Sequence, residues 1–402
     1  MPENQIEEWD RLHRFGYQRQ LLGEWESAKR YYEQALVLKP DYAFAQLALT
    51  QLRMMQTCFR EGRELYETRF AARDDQGGFD WRQLPTPRWH GESLKGKHLH
   101  LWVEQGFGDV IMYAGFLRWF LAQQPSRITL SMFPKMMTLF ARSFPQIAIE
   151  SLQDIGHYAL SPAILDTFPQ LLKLAQQTGM EDDLEPMRRD YERVRQRGKP
   201  DYAAPMGDLM VHGLPDFVPA QRQAAYLTAE PERMVETRKH LQQSGAGRLV
   251  GISWHTPNVE SGSVRNIPLE QWIPILSVSG CHFIALQHNV LPLEIKNFCT
   301  ENRYNITVPQ FDVVQDTEGL VTLTAAMDEV ITIDNSNAHL AGALGVPTTL
   351  LLPKGCDFRW PVLQDGVDTL WYSSVKVERQ ETPMDWFPVI QRVAGRLRRR
   401  IA

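Results

Sequence analysis

The sequence has little cysteine and no long apolar segment. Its 402 residues include four cysteines, and no two of them form a C-x-x-C pair. They stand at Cys58, Cys281, Cys299 and Cys356. This spacing favours neither a zinc site nor a disulfide framework, and reduced thiols are typical of cytoplasmic proteins. No apolar run approaches the roughly 18 residues that a membrane-spanning helix needs, so no such helix is expected.

An excess of positive charge is also lacking. The formal net charge is −5, which argues against a broad basic surface for nucleic acid. The first residues, MPENQIEE, lack the basic and apolar segments of a signal peptide. We therefore expect a cytoplasmic protein, at most peripheral to the inner membrane. The length predicts two or three domains of roughly 150 residues each.

Residues 1–70 are predicted to form a small helical region that resembles a tetratricopeptide repeat. The resemblance rests on small and aromatic residues at the spacing of that repeat, namely Gly16, Gly23, Ala28, Tyr32, Ala35 and Pro40. Gly23 permits a turn between two helices, and Pro40 ends the second helix. A single repeat cannot bury its own apolar face. It is therefore either a hairpin docked on the main domain or an arm that binds a partner.

Two series of alternating strands and helices follow a predicted linker at residues 71–97. The first series occupies residues 98–224, and its helix Val110–Ala122 follows the first strand. Its strands are predicted at His98–Val103, Arg127–Met132, Ile147–Ser151 and His157–Leu160. Glycine and proline in residues 182–224 indicate an irregular crossover between domains. Such alternation predicts a parallel sheet with helices on both faces.

The second series occupies residues 225–380. Its strands are predicted at Leu249–Trp254, His282–Leu286, Asn305–Val308, Glu329–Ile333 and Thr348–Leu352. A final helix in residues 381–402 ends in four arginines, Arg396, Arg398, Arg399 and Arg400. Basic residues suit the end of a helix, and contact with an anionic membrane is the alternative. Two doubly wound sheets imply a cleft, with ligands at the carboxyl ends of the strands.

A glycine-containing loop follows the first strand and opens a helix. It reads Glu104, Gln105, Gly106, Phe107, Gly108 and Asp109. The glycines permit a tight turn and close approach of a ligand to the free N–H groups of the helix start. The third glycine of a dinucleotide-binding fingerprint is replaced by Ile111, and no P-loop is present, which disfavours a dehydrogenase and a P-loop NTPase. Asp109 either caps the helix or serves as a general base.

Loops at the ends of the later strands supply candidate ligand contacts. Residues 254–269 form a longer connection than usual, and Arg265 within it could bind a phosphate through two hydrogen bonds. Asp334, Ser336, Asn337 and His339 open a helix whose free N–H groups suit a diphosphate. His339 either faces the ligand or packs behind it. Weaker candidates at the same edge are Trp254, His255, Gln287, Asp357 and Arg359.

These motifs resemble glycosyltransferase family nine, whose best-known members are the ADP-heptose:lipopolysaccharide heptosyltransferases. The resemblance rests on Val103–Asp109, Arg265–Trp272 and Asp334–Leu340, and it extends over about residues 85–380. The layout also resembles bacterial proteins that join tetratricopeptide repeats to such a domain. It implies a GT-B fold, with two Rossmann-like doubly wound domains after the small helical region. The first domain would take the acceptor, and the second the nucleotide-sugar donor.

The resemblance also implies an activity and site roles. These are inverting sugar transfer without a metal or cofactor, Asp109 as the base, and Arg265 as a phosphate contact where heptosyltransferases have lysine. Asp334, Ser336 and His339 would hold the diphosphate. Residues 335–338 read Asn-Ser-Asn-Ala rather than Thr-Gly-Leu-Ser, so the resemblance does not extend to the choice of sugar. The acceptor is expected to be a protein such as flagellin, or a glycan or lipopolysaccharide. The alternative is a repeat scaffold that binds a nucleotide without turnover.

Overall fold

The chain forms two compact units. The computed structural model describes residues 7–55, 66–72, 86–152, 162–178, 184, 188, 199–213, 224–287, 292–355, 358–361 and 366–401. The larger unit comprises Met1–Gln76, Phe107–Gly115 and Leu214–Ala402, and the smaller unit comprises Gly77–Gly106 and Phe116–Gly213. Phe107–Gly115 was predicted inside the first sheet domain. In the structure it belongs instead to the unit that contains the second sheet.

The larger unit begins with a helical region. Its helices are Glu8–Leu21, Trp25–Leu38, Ala43–Met55 and Thr68–Ala71. Tyr32 is fully buried between the first two helices, and a Cβ atom on Gly16 would lie 2.5 Å from its ring. Gly23 adopts a φ of 73° in the turn that joins these helices. The predicted helical hairpin is therefore present, while its membership of the tetratricopeptide family stays a prediction.

The smaller unit contains a parallel sheet of four strands in the order β3-β2-β1-β4. The strands are β1 (His98–Trp102), β2 (Arg127–Met132), β3 (Ala148–Ser151) and β4 (Tyr202–Pro205). Its helices are Leu117–Ala122, Met137–Ser143, Pro162–Thr178 and Gly207–Gly213. The predicted helix Val110–Ala122 is therefore two helices, because Phe107–Ala114 ends before Leu117. The strand predicted at His157–Leu160 lies outside the described residues.

Two segments of the smaller unit are more ordered than the sequence indicated. β4 lies in the segment predicted as an irregular crossover, and it pairs with β1. Residues 86–97 were predicted to belong to a linker, but Arg88 forms two hydrogen bonds of 2.9 Å with the fully buried carboxylate of Asp208. Trp89 is buried as well. Residues 86–97 are therefore part of the sheet domain.

The larger unit contains a parallel sheet of six strands in the order β10-β9-β8-β5-β6-β7. The strands are β5 (Arg248–Ser253), β6 (Cys281–Ala285), β7 (Ile306–Thr307), β8 (Glu329–Ile333), β9 (Thr348–Leu352) and β10 (Val375–Arg379). Counted from β5, this is the 3-2-1-4-5-6 order of a doubly wound nucleotide-binding sheet. The order reverses between β5 and β8, which is where such sheets bind ligands.

Further helices belong to the larger unit. They are Phe107–Ala114, Pro231–Ser244, Val259–Arg265, Ile273–Leu276, Pro292–Asn302, Thr317–Ala325, Ser336–Ala343 and Phe387–Ile401. The connection at 254–269 was predicted as a loop, but it contains Val259–Arg265. Asn258 caps this helix by accepting a hydrogen bond from Ser261 N. The cap explains why a helix forms within a segment that has few apolar residues.

The last helix, Phe387–Ile401, packs its apolar face into the core of the larger unit. Arg396 forms an ion pair of 2.5 Å with Glu378, and Arg400 forms one of 2.8 Å with Glu329. Two of the terminal arginines therefore have partners within the protein, so their presence needs no contact with a membrane. Within the part of the chain that the structure describes, no helix combines the length and the apolar character needed to cross a bilayer.

Candidate functional site

Asp109 lies in the first turn of the helix Phe107–Ala114, here called the Asp109 helix. Its carboxylate is buried and accepts hydrogen bonds from Arg359, with Nε 2.6 Å from Oδ1 and Nη2 3.3 Å from Oδ2. Arg359 follows β9 and was only a weak candidate from the sequence. The pair joins positions 250 residues apart in the sequence. The predicted base is therefore held by a guanidinium in this structure.

A second ion pair lies at the carboxyl end of β8. Arg265 Nε lies 3.1 Å from Asp334 Oδ2, and the side chain of Asp334 is 2% exposed. Trp360 donates a hydrogen bond of 2.6 Å from Nε1 to Asp334 Oδ1. Asp334 thus orients Arg265, a predicted phosphate contact. A direct contact between the Asp334 carboxylate and an anionic diphosphate would be repulsive, so we assign it to positioning.

The helix Ser336–Ala343, here called the Ser336 helix, begins beside these residues. Asn335 caps it by accepting a hydrogen bond of 3.0 Å from Asn337 N. Ser336 is half-buried, and neither its hydroxyl nor its backbone N–H bonds to any residue that the structure describes. This helix start therefore keeps a hydroxyl and an amide that can donate to an anion.

The Asp109 helix packs against the Ser336 helix through Gly108. A Cβ atom on Gly108 would lie 3.0 Å from His339 Cδ2 and 3.4 Å from Ser336 Cα. The absence of a side chain at position 108 thus permits the two helix starts to approach closely. The sequence assigned Gly108 to a tight turn, and the structure shows this close approach in addition.

His339 lies in an aromatic cluster behind the Ser336 helix start. Its Nδ1 is 2.8 Å from the hydroxyl of Tyr372, and its ring stacks on Trp360 at 4.3 Å. Burial, followed by the neighbouring Tyr226, raises the pKa of Tyr372 well above its ordinary value. Tyr372 therefore stays neutral and fixes the orientation of the imidazole. Tyr226 in turn donates a hydrogen bond of 2.7 Å to Ile111 O in the Asp109 helix.

Side-chain amides join the carboxyl ends of β5, β6 and β8. Ser253, at the end of β5, accepts hydrogen bonds from Asn335 Nδ2 at 2.7 Å and from Asn337 Nδ2 at 3.1 Å. The Asn337 amide also donates to Leu286 O at 2.9 Å, just after β6. These bonds tie the strands together where their order reverses. We call Ser253, Gln287, Asn335 and Asn337 the amide network.

Two predicted ligand contacts belong to this network. Asn337 is fully buried. Gln287 Oε1 accepts hydrogen bonds from Trp254 N at 2.9 Å and from His255 N at 2.8 Å, while its Nε2 donates to His255 O. The Asn337 Nδ2 group and both polar atoms of the Gln287 side chain bond to the protein, so we assign these two residues to holding the strand ends rather than to the ligand.

The other cleft candidates are spread over both units. Trp254 is buried in the core of the larger unit, and His255 is half-buried beside it. Glu104 belongs to the smaller unit, where its Oε1 accepts a hydrogen bond of 3.0 Å from Gly207 N. Gln105 and Gly106 also belong to the smaller unit. Asp357 lies outside the described residues.

The helical region contacts both elements that hold the Asp109–Arg359 pair. Tyr66 makes a hydrogen bond of 2.8 Å with the hydroxyl of Tyr113, one turn after Asp109. The Tyr66 ring also packs on Phe358, the neighbour of Arg359. A Cβ atom on Gly355 would lie 2.2 Å from Gln20 O, so the first helix ends against the loop after β9. The hairpin is therefore docked on the larger unit through the end of its first helix.

Sequence reasoning missed Trp360, Tyr372 and Tyr66. Each acts through a partner that is distant in the sequence, so no local motif marks it.

Among the described residues, no group of three or more His, Cys, Asp or Glu side chains is arranged to hold a metal ion. Metal independence stays a prediction.

Comparison with known proteins adds two findings to this geometry. No protein-family model matches the chain. Protein FlbA of Caulobacter vibrioides is 29% identical over 395 residues, which cover 96% of this chain and 61% of FlbA. The chain thus spans about three fifths of the length of that curated relative.

The second finding concerns solved structures. The crystal structure of a family 9 glycosyl transferase from Veillonella parvula DSM 2008 aligns with a TM-score of 0.51 and 12% identity, covering 78% of this chain and 92% of that one. Escherichia coli ADP-heptose lps heptosyltransferase II aligns with a TM-score of 0.44 and 15% identity, covering 75% and 97%. The Veillonella structure shows a shared fold, which confirms the predicted α/β class with parallel sheets.

Proposed function

We propose that the chain is an inverting glycosyltransferase of the family nine type. It would move a sugar from a nucleotide diphosphate-sugar to a hydroxyl acceptor without a metal ion. One observation carries the proposal: Asp109, Arg265 and the Ser336 helix, predicted from three separate motifs, lie within one compact unit, with Gly108 packed on Ser336 and His339. The fold shared with the Veillonella transferase supports it.

In the proposed reaction, the acceptor oxygen attacks the anomeric carbon of the donor. The bond from that carbon to the diphosphate breaks, and the acceptor proton passes to the Asp109 carboxylate. The leaving nucleoside diphosphate gains one negative charge as the bond breaks. A general base of this kind contributes roughly 10²–10⁴-fold to the rate.

Arg265 and the Ser336 helix start would stabilise the leaving diphosphate. Arg265 is oriented by Asp334, so its guanidinium needs little reorganisation when the charge develops. Ser336 offers its hydroxyl and its backbone N–H, and the helix dipole favours the anion. These groups would supply the positive field that a metal ion supplies in other transferases.

The decisive test is transfer of radiolabelled sugar by Asp109→Asn. The variant keeps the shape of the side chain but accepts a proton poorly, so we expect a loss of at least about 100-fold in turnover. The matched control is Asp385→Asn, which changes an exposed carboxylate beside the last helix and should leave turnover unchanged. Near wild-type turnover in Asp109→Asn would remove Asp109 from the base role.

The donor site is tested by calorimetric titration with ADP, GDP and UDP. Arg265→Ala should weaken binding of the preferred nucleotide by about 1.5–3 kcal/mol, the range for hydrogen bonds to charged groups. An unchanged affinity would contradict the assignment of Arg265. The identity of the preferred nucleotide would also narrow the class of donor.

A protein acceptor such as flagellin, or a glycan of the lipopolysaccharide type, fits the proposed reaction. The helical region would present the acceptor, and we place the activity in the cytoplasm.

A second candidate is a scaffold that binds a nucleotide without turnover. The exposure of Phe15, Val37 and Leu38 on the hairpin favours a binding role for that region. Nucleotide binding without sugar transfer or hydrolysis would support the scaffold.

A further inference from the structure

We propose that Arg359 keeps Asp109 from acting as a base until the donor binds, and we call this arrangement the latch. While the donor site is empty, Arg359 neutralises Asp109. When the donor binds, the Arg359 guanidinium moves to the diphosphate and leaves Asp109 as a competent base. This inference rests on the proposed function and adds to it a residue and an order of binding.

The geometry of the ion pair is the first support. Both Asp109 oxygens accept from Arg359, through Nε at 2.6 Å and Nη2 at 3.3 Å. The side chain of Asp109 is 10% exposed, so water does little to weaken the attraction. An acceptor hydroxyl would have to compete with the Arg359 guanidinium for these two oxygens. The base therefore works only after the pair has separated.

The balance of charge is the second support. The described site contains two carboxylates, Asp109 and Asp334, each paired with one guanidinium. A diphosphate adds at least one negative charge per phosphate group and competes for these guanidiniums. Arginine binds phosphate through two parallel hydrogen bonds, as it does a carboxylate, so the exchange retains the type of contact.

The position of Arg359 is the third support. The next residue, Trp360, stacks on His339 and donates to Asp334, so the backbone at Arg359 is fixed beside the proposed diphosphate site. Trp371 Nε1 also donates a hydrogen bond of 2.5 Å to Arg359 O. The side chain of Arg359 remains 28% exposed. The guanidinium can therefore change partner by side-chain rotation, without movement of the chain.

The latch implies an ordered reaction. The donor must bind first, because only the diphosphate draws Arg359 away from Asp109. The acceptor hydroxyl is then deprotonated only when a donor is present. Arg359 stays protonated throughout and ends on the diphosphate, where it also stabilises the charge of the leaving group.

A double-mutant cycle on nucleotide binding tests the latch without any measurement of activity. The probes are ADP, GDP and UDP, titrated calorimetrically into the full chain. Asp109→Asn removes the charge that competes for Arg359, so it should tighten binding of the preferred nucleotide by about three- to tenfold. Arg359→Gln should weaken it by about tenfold or more. Asp109→Asn added to Arg359→Gln should then have no further effect.

Each outcome of this experiment either supports the latch or contradicts it. Unchanged or weaker binding in Asp109→Asn overturns the latch, as does a gain in affinity that persists in the Arg359→Gln background. Either result leaves the proposed function intact if Arg265→Ala still weakens binding. Absence of binding by the unmodified chain to all three nucleotides contradicts both. Arg359→Lys keeps the charge but not the paired hydrogen bonds. Its affinity for the preferred nucleotide should therefore lie between those of Arg359→Gln and the unmodified chain.

Discussion

Both units bury polar side chains along their strands, and the larger unit also gathers polar side chains at the ends of three strands. In the smaller unit, His98 and His100 lie inside β1 and contact Thr129 and Ser131 on β2, each at 2.9 Å. In the larger unit, the amide network lies at the ends of β5, β6 and β8. Polar groups inside strands support strand pairing. Polar groups at strand ends hold the loops that form the candidate site.

A feature shared by both sheets clarifies this difference. His282 on β6 contacts Thr307 on β7 at 2.7 Å. In each of the three pairs, the hydroxyl residue is in register with the residue two places after the histidine. Because the pairing recurs in both sheets, it is a property of parallel strands rather than of the site. The amide network, by contrast, lies where the strand order of the larger unit reverses.

The largest expected effect concerns the docking of the helical region onto the larger unit. In Gly355→Ala, the new Cβ would lie 2.2 Å from Gln20 O and 2.3 Å from Leu21 O. The hairpin or the loop after β9 must move, which should cost about 3 kcal/mol in the free energy of unfolding. Urea denaturation measures this, and nucleotide titration should show weaker binding because Arg359 lies on that loop.

The control for this substitution is Gly395→Ala. Its Cβ would meet only the end of the Arg399 side chain, at 3.7 Å, and the residue is helical. Alanine should therefore be neutral or stabilising by up to about 1 kcal/mol. Equal stabilities of the Gly355→Ala and Gly395→Ala variants would show that the hairpin is not packed against the loop.

The next effect concerns the amide network. Asn337→Ala leaves Leu286 O without its side-chain donor in a buried position and removes one of the two donors to Ser253 Oγ, which should cost about 2 kcal/mol in the free energy of unfolding. Ser253→Ala disturbs the same bonds, so the double substitution should cost less than the sum. Additive costs would contradict a single network.

Asn302→Ala is the matched control for the amide network. The Asn302 amide donates to Phe298 O at 3.0 Å near the end of a helix, but the residue is half-exposed, so water can replace it. Its cost should stay below about 0.5 kcal/mol. A cost as large as that of Asn337→Ala would remove the special role of the strand ends.

The strands show how far the sequence predicts the fold. β2, β8 and β9 were predicted with the observed bounds, because each is a short segment of β-branched and aliphatic residues between turns. β4 was missed because it is four residues long and ends in Pro205. β10 was missed although Val375 and Val377 alternate with charged residues, which is the pattern of a strand with one exposed face.

For the site, motif and position led to Asp109, Arg265 and the Ser336 helix, which lie in one compact unit, and their roles stay predictions. The partners did not follow from the sequence, since the Asp109–Arg359 pair spans 250 positions. Asn337 and Gln287 were assigned to the ligand because an amide in a strand-end loop can serve either the ligand or the backbone. Only the three-dimensional arrangement of β5, β6 and β8 distinguishes the two roles.

A smaller effect is expected from Tyr66→Phe. The change deletes the hydrogen bond to Tyr113 while it keeps the ring on Phe358, so about 1 kcal/mol should be lost in the free energy of unfolding. Amide exchange in the Asp109 helix should become faster. Tyr304→Phe, which deletes an exposed bond to Ser277, is the control. Unchanged exchange in the Asp109 helix would show that Tyr66 does not support it.

The smallest expected effect concerns the smaller unit and depends on pH. Burial, followed by the positive charge of Arg127, lowers the pKa of His98 below its ordinary value of 6.5, although Asp201 opposes this. The unfolded chain therefore binds a proton near pH 6.5 that the folded chain does not. The free energy of unfolding should fall as the pH drops below about 6.5, by at most about 1.4 kcal/mol per pH unit for each such histidine.

His98→Gln removes this titration and keeps a polar side chain near Thr129. The variant should lose less than about 1 kcal/mol at pH 7.5, and its stability should fall less than that of the unmodified chain between pH 7.5 and 5.5. Urea denaturation at several pH values, with amide exchange in β1 and β2, measures both. The control is the same substitution at the exposed residue His240. Nucleotide affinity at pH 7.5 should be the same in all three proteins, because His98 supports strand pairing and not the site. A change in affinity in His98→Gln would contradict the distinction between polar groups inside strands and polar groups at strand ends.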